Sequence, residues 1–249
     1  MRAPAAVLLV AALVVGACAS GSSPAAKGTP RPTPAPVVYV AIGASETIGI
    51  GTDDPAREAF PQQLLRNLNR STVMYDYGLP GETTEAALRD ELPPALAVHP
   101  TLATVWLNVD DLVAGVTLSD YEARLDQLVN GLRTAGAKVL LANTPHLDRL
   151  PAYAACRPNP PAGPRCPLGS VTLPPPDQVE AQVQDYNAAI ARVVAREGAV
   201  LVDLYAAGEV PVLHPEYVGR DGFHPNAAGA AAIAATFAAA GGLGTPARG

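Results

Sequence analysis

The chain has 249 residues, enough for one ordinary domain and too few for two large ones, and its 49% hydrophobic content supports a sizeable core and excludes wholesale disorder. Its 22 glycines and 26 prolines are clustered and lack a three-residue period, which excludes collagen, and 5% aromatics give little to stack single-stranded nucleic acid upon. The formal net charge is −6, and beyond residue 36 there are 14 basic against 23 acidic side chains, so no nucleic-acid partner is expected.

Residues 1–18 read as an export signal. Arg2 gives a positive start, Val7 to Val15 form an apolar run too short to span a bilayer, and small residues follow. Val15-Gly16-Ala17-Cys18 resembles the bacterial lipobox, which predicts Cys18 as the lipid-carrying first residue of the mature protein; an ordinary signal peptide cut near Ala19 is the alternative. Residues 19–36 are rich in Ser, Pro and Ala, and five of the thirteen residues from Pro24 to Pro36 are proline, so this stretch reads as a tether. An anchor, a tether and then a domain over 37–240 predict an exported lipoprotein held at the membrane of the cell envelope through its N-terminal lipid. Residues 241–249 read as a flexible tail.

Within the domain, short apolar runs alternate with amphipathic stretches. The runs Val37–Ile42, Val73–Tyr77, Leu102–Leu107, Lys138–Ala142 and Ala199–Leu204 are near-continuously apolar, as strands covered on both faces are. A helix is expected from Ser119, its N-cap, with Glu122 completing a capping box and Tyr121, Leu125, Leu128, Val129 and Leu132 on one face; Gly136 suits its C-terminal end. A second begins at Asp177 after three prolines, buries Val179, Val183, Tyr186, Ile190 and Val193, and stops at Gly198. A third runs from Pro225 to about Ala240. Strand–helix alternation predicts an α/β fold: a three-layer α/β/α sandwich around a parallel five-stranded sheet. The segment 144–176 is a Pro-rich insertion with ten prolines. It holds Cys156 and Cys166, which an oxidising compartment would join; two free thiols are the alternative, and a zinc site lacks further ligands at the right spacing.

In parallel sheets, reactive groups gather beyond the carboxyl ends of the strands. The first strand runs into Gly43-Ala44-Ser45, where a serine stands exposed beside a glycine. The second runs into Pro80-Gly81-Glu82, and Gly81 permits close backbone approach, so that its N–H can donate to an oxyanion. Before the last helix lies Asp221-Gly222-Phe223-His224-Pro225. The Asp221 carboxylate, three residues from His224, can fix the ring tautomer and stabilise the imidazolium formed when His224 takes a proton from Ser45.

These blocks resemble the SGNH/GDSL hydrolase family over roughly residues 37–240: Gly43-Ala44-Ser45 as the nucleophile block, Gly81 as the second, Asp221-x-x-His224 as the last. The resemblance implies a flavodoxin-like sheet, Ser45 as nucleophile, His224 as base, Asp221 as its orienting acid, and the N–H groups of Ser45 and Gly81 in the oxyanion hole. It implies no metal and no organic cofactor. Two positions depart from the family pattern. Ala44 stands where an Asp is usual. The third block, usually Gly-x-Asn-Asp, reads Asn108-Val109-Asp110-Asp111, so Asp110 replaces the Asn whose side chain donates to the oxyanion. Either Asp110 is held protonated and donates, or Asn108, two residues back, reaches in; otherwise the charge weakens the reaction. The expected activity is hydrolysis of small-molecule, glycan or lipid esters. A catalytically impaired binding lipoprotein on the same scaffold is the first rival. A flavodoxin-like phosphate binder is the second, and it lacks a glycine-rich phosphate loop. His99 reads as a surface residue, His146 as a candidate for the rim of the site, His214 as a rival base without an acid at comparable spacing, and Trp106 as core. The insertion 144–176 is either a lid or a rigid surface loop. The sequence leaves the oligomeric state open.

Overall fold

The computed structural model describes residues 36–68, 71–163, 165–169, 172–207 and 214–243. Cys18, the expected signal and all but the last residue of the expected tether lie outside them. In chain order the elements are β1 (Val38–Gly43), α1 (Pro55–Glu58), α2 (Phe60–Leu65), β2 (Val73–Asp76), α3 (Thr84–Asp90), α4 (Leu92–Ala97), β3 (Leu102–Trp106), α5 (Val109–Val113), α6 (Leu118–Thr134), β4 (Lys138–Ala142), α7 (Pro151–Cys156), α8 (Pro176–Glu197), β5 (Val200–Val202) and α9 (Ala227–Gly241).

The five strands form one all-parallel sheet in the order β2-β1-β3-β4-β5. Period-two alternation divides each inner strand between two cores. Val40 and Ile42 of β1, with Ala103, Val105, Val139 and Leu141, pack against α3, α4, α6 and α8. Tyr39 and Ala41, with Leu102, Leu140 and Ala142, pack against α2 and α9. The strand expected over 73–77 is not buried on both faces. β2 is an edge, and Val73 and Tyr75 are exposed.

The long helices follow their apolar spacing. In α6 the five predicted stripe residues are all buried. Its N-cap, however, is Thr117, whose hydroxyl accepts from Asp120 N–H, while Ser119 sits inside the first turn and its hydroxyl bonds to Thr117. Thr117 and Ser119 have equal capping chemistry, and the one placed to put Tyr121 inward takes the role. In α8, Pro176 occupies the first turn, where a missing N–H costs nothing, and Gly198 caps the end in the left-handed conformation (φ 63°). The last helix outlasts its expected end. Gly242 caps it (φ 59°), the Leu243 N–H bonds to Ala238 O, and Leu243 packs on the core, so residues 241–243 belong to the folded domain.

Cys156 and Cys166 are joined in a disulfide, as export would favour. Phe60, fully buried, stacks on Phe237 at 4.9 Å and meets Trp106 edge-on at 5.9 Å, linking α2, α9 and β3. Phe237→Ala empties the centre of this cluster. It is expected to cost about 3–5 kcal/mol of stability, read as a lowered midpoint in urea unfolding.

Candidate active site

β1 leads to β2 on one side and pairs with β3 on the other, so the chain reverses its direction of winding between β1 and β3. This is where doubly wound sheets open a crevice at their carboxyl ends. Gly43 pairs with Trp106, which sets the loop after β1 beside the loop after β3. A Cβ on Gly43 would stand 2.1 Å from Thr47 Oγ1 and 2.8 Å from Trp106 O, so no other residue fits there. The chain then turns tightly, with Thr47 N–H to Ala44 O at 3.1 Å and Ile50 N–H to Ser45 O at 3.0 Å, and Ser45 stands at the turn.

Ser45, His224 and Asp221 come together across 179 residues of sequence. His224 Nε2 lies 2.9 Å from Ser45 Oγ, and His224 Nδ1 lies 2.6 Å from Asp221 Oδ2. The other carboxylate oxygen of Asp221 accepts from the N–H groups of Phe223 and His224. Burial raises the Asp221 carboxyl, but these backbone bonds and the His224 ring outweigh it and hold the group below its ordinary range. The ionised Asp221 accepts a hydrogen bond from Nδ1–H, which fixes the tautomer and leaves Nε2 as the acceptor facing Ser45. Glu46 Oε2 lies 3.2 Å from the same hydroxyl, so two acceptors share one proton.

The loop that carries His224 is fixed on three sides. Asn226 caps α9 by accepting from Ala228 and Gly229 N–H, while its amide donates to Glu216 O and Val218 O. Gly219 N–H bonds to His224 O at 2.7 Å. Ala152 N–H, in α7 of the disulfide-closed insertion, bonds to Gly222 O at 2.9 Å. The insertion therefore docks on the histidine turn. Among its described residues, none lines the cavity wall.

A cavity of about 330 Å³ opens over Ser45 and His224, walled by Ile50, Pro80, Val109, Val113 and Phe223, with Gly81, Glu46 and Asp110 on its surface. Gly81 has φ 76°, and a Cβ there would meet nothing within 4 Å, so conformation and not space demands the glycine. Asp110 faces the cavity. Burial first, then the carboxylates of Glu46 and Asp111, push its carboxyl up to about 6, against the opposing pull of His224. Asn108 does not reach in. It is buried beneath the site, outside the cavity wall, with Nδ2 unpartnered, because helix α5 begins at Val109 and the strand periodicity that would have brought it to the cavity ends before it. Asp111 is fully buried and accepts from Thr84 N–H (2.9 Å) and Thr84 Oγ1 (2.7 Å), which ties the third-block loop to the start of α3 and so to the Gly81 turn.

His146 does not line the cavity. It stacks on Tyr205 at 3.8 Å and pairs with Glu180 at 3.4 Å; Glu180 also accepts from the Tyr205 hydroxyl. His146, Glu180 and Asp148 are the side chains, among the described residues, that could together hold a metal ion. His214 has an acid after all, Glu216 Oε1 at 3.0 Å, but it too stands outside the cavity wall. Trp106 is 7% exposed and belongs to the core. Glu46 and Asn226 are site residues that sequence reasoning missed. Asn226 carried a signal, an Asx residue directly before a helix.

Fold and site together define an α/β/α domain with a serine–histidine–aspartate hydrogen-bonded chain at its topological switch. The sequence profile of the GDSL-like lipase/acylhydrolase family matches residues 41–232, and the chain belongs to that family. Three similar solved structures are the lipase/acylhydrolase from Enterococcus faecalis (18% identity, 85% of this chain and 100% of that one, TM-score 0.61), the extracellular lipase from Streptomyces rimosus (17%, 82% and 99%, 0.60) and a catalytic mutant of the acetylxylan esterase Axe2 from Geobacillus stearothermophilus (16%, 82% and 93%, 0.61). A search of curated proteins finds no match.

Two outcomes are expected. Gly222 has φ 75°, and a Cβ there would stand 2.9 Å from Ala152 N, so Gly222→Ala displaces the histidine turn; strain of about 1–3 kcal/mol should lower kcat roughly tenfold, measured on a small acyl ester. Asp110→Asn should raise kcat/KM roughly tenfold or more at pH 8. The gain should shrink below about pH 6, where the wild-type carboxyl carries its own proton.

Proposed function

We propose that this protein is a serine esterase that works at the cell envelope through Ser45, His224 and Asp221. The observation that carries the reading is the continuous hydrogen-bonded chain from Asp221 through both nitrogens of His224 to Ser45 Oγ, open to a cavity. Ser45 Oγ attacks the ester carbonyl as its proton passes to His224 Nε2. The tetrahedral intermediate collapses, and the alcohol leaves with the proton from His224. Water, deprotonated by His224, then attacks the acyl-enzyme and frees the carboxylic acid and Ser45. Asp221 holds the ring and offsets its positive charge throughout.

The apolar wall of Ile50, Val109, Val113 and Phe223 suits a small acyl or alkyl group, and the named neighbours include lipases and an acetylxylan esterase. A small-molecule, glycan or lipid ester is the substrate class. Cys18 as lipid attachment site, with residues 19–36 as tether, supports action at the membrane surface. A second reading, a binding protein with impaired catalysis, is favoured by one observation: Asp110 presents a carboxylate where the family pattern has an oxyanion donor. A fluorophosphonate probe separates the two. Labelling that vanishes in Ser45→Ala and falls at least tenfold in His224→Ala supports the esterase. Silence of the wild type from pH 5 to 9 supports the binder.

A further inference from the structure

We propose that Glu91 is a positioning residue for the nucleophile: its buried carboxyl holds the Gly43 peptide from which the Ser45 turn hangs. This rests on the esterase reading and extends it to a residue that touches neither substrate nor the reacting atoms.

Glu91 stands at the junction of α3 and α4, where its own N–H bonds to Ala87 O and its side chain is fully buried. Glu91 Oε2 accepts from Gly43 N–H at 2.9 Å. β2 has ended at Asp76, and at the last residue of β1 a side chain from outside the sheet takes the N–H. Gly43 O in turn accepts from Leu79 N–H at 3.0 Å, so Gly43 is held at both polar groups, two residues before Ser45. Ala44, where the family pattern has an Asp, can make no such bond with its side chain. The carboxyl that holds the Gly43 peptide comes instead from Glu91, 48 residues along the chain.

The environment keeps Glu91 neutral. Among the described residues, no hydrogen bond besides that of Gly43 N–H reaches the carboxyl, and Oε1 is buried without a partner, as is Thr47 Oγ1, which a Cβ on Gly43 would strike. The charged groups that act on it are the carboxylates of Glu82 before α3, Asp76 at the end of β2 and Asp90 in α3, all of one sign. Burial first, and these carboxylates after it, outweigh the Gly43 bond and push Glu91 up to about 9. The folded protein then keeps a proton that the unfolded chain releases at lower pH. Stability conferred by this site is complete in acid and is lost as pH rises toward 9. Ionisation would also put an unpaired charge beneath the nucleophile turn.

The test compares wild type, Glu91→Gln and Glu91→Ala for ester kcat, KM, fluorophosphonate labelling rate and Tm from pH 5 to 10. Gln keeps an acceptor for Gly43 N–H and cannot ionise. It should hold kcat within about threefold at pH 7 and remove both the fall of Tm between pH 5 and 9 and the loss of kcat above pH 9. Ala should lower kcat at least tenfold with KM little changed. A folded Ala variant with wild-type kcat overturns the proposal, and so does a Gln variant as slow as Ala. If Ala fails to fold, the Gln profile decides: the same alkaline losses as wild type overturn it. A wild type that neither labels nor hydrolyses any ester sinks the esterase reading and this role with it, whereas an active wild type with an indifferent Glu91 sinks this role alone.

Discussion

The parallel pairing of β1 with β3 is the constraint on which the site depends. It places the turn after Gly43 beside the turn after Trp106, and the exclusion of any Cβ at Gly43 lets the two backbones close up. One turn presents Ser45 and the other presents Asp110. The third component, His224, comes from the turn just before the last helix, which is docked on the sheet through Phe237 and Phe60. Each reactive group thus sits on a different element, and the sheet fixes their separation. Packing that is remote from the cavity, in the α2–α9 layer, sets whether an imidazole stands 2.9 Å from a hydroxyl.

Polar atoms at the base of the site repeat one device. Asp111 accepts two bonds from Thr84, Asp221 accepts two backbone bonds beside its histidine, and Glu91 accepts one from Gly43. Asp111 and Glu91 each pin a loop to another element, whereas Asp221 stiffens its own turn. They differ in charge state because they differ in depth and in donors. Asp221 is partly exposed, has backbone N–H groups and the imidazole, and stays ionised; Glu91 is fully buried with one N–H and is pushed to about 9, burial being the larger cause.

Much of this was legible in the sequence because it is local or periodic. The inner strands, the stripe of α6 and the end of α8 at Gly198 follow from spacing and caps, and Asp221-x-x-His224 announces itself by separation and by the helix that follows. What was not legible depends on geometry between distant elements. The capping box at Ser119 was misplaced by two residues because Thr117 has the same chemistry. Strand periodicity offers Asn108 as one of two alternative donors, yet β3 ends at Trp106, α5 begins at Val109, and the buried Asn108 is not part of the cavity wall. Glu46 looks like any exposed acid until its neighbour is seen to be Ser45. The support given by Ala152 to the histidine turn comes from a proline-rich stretch whose sequence says nothing about what it leans against.

The acidic lining of the cavity has a consequence for the end of the catalytic cycle. An ester is neutral at its reacting group, and the acid it yields is an anion. Asp110 and Glu46 oppose negative charge on the way to the intermediate, but they oppose it equally in the product, which leaves a pocket of that sign readily. Under the proposed esterase reading, such a pocket trades speed in the chemical step for easy release of its own acid product.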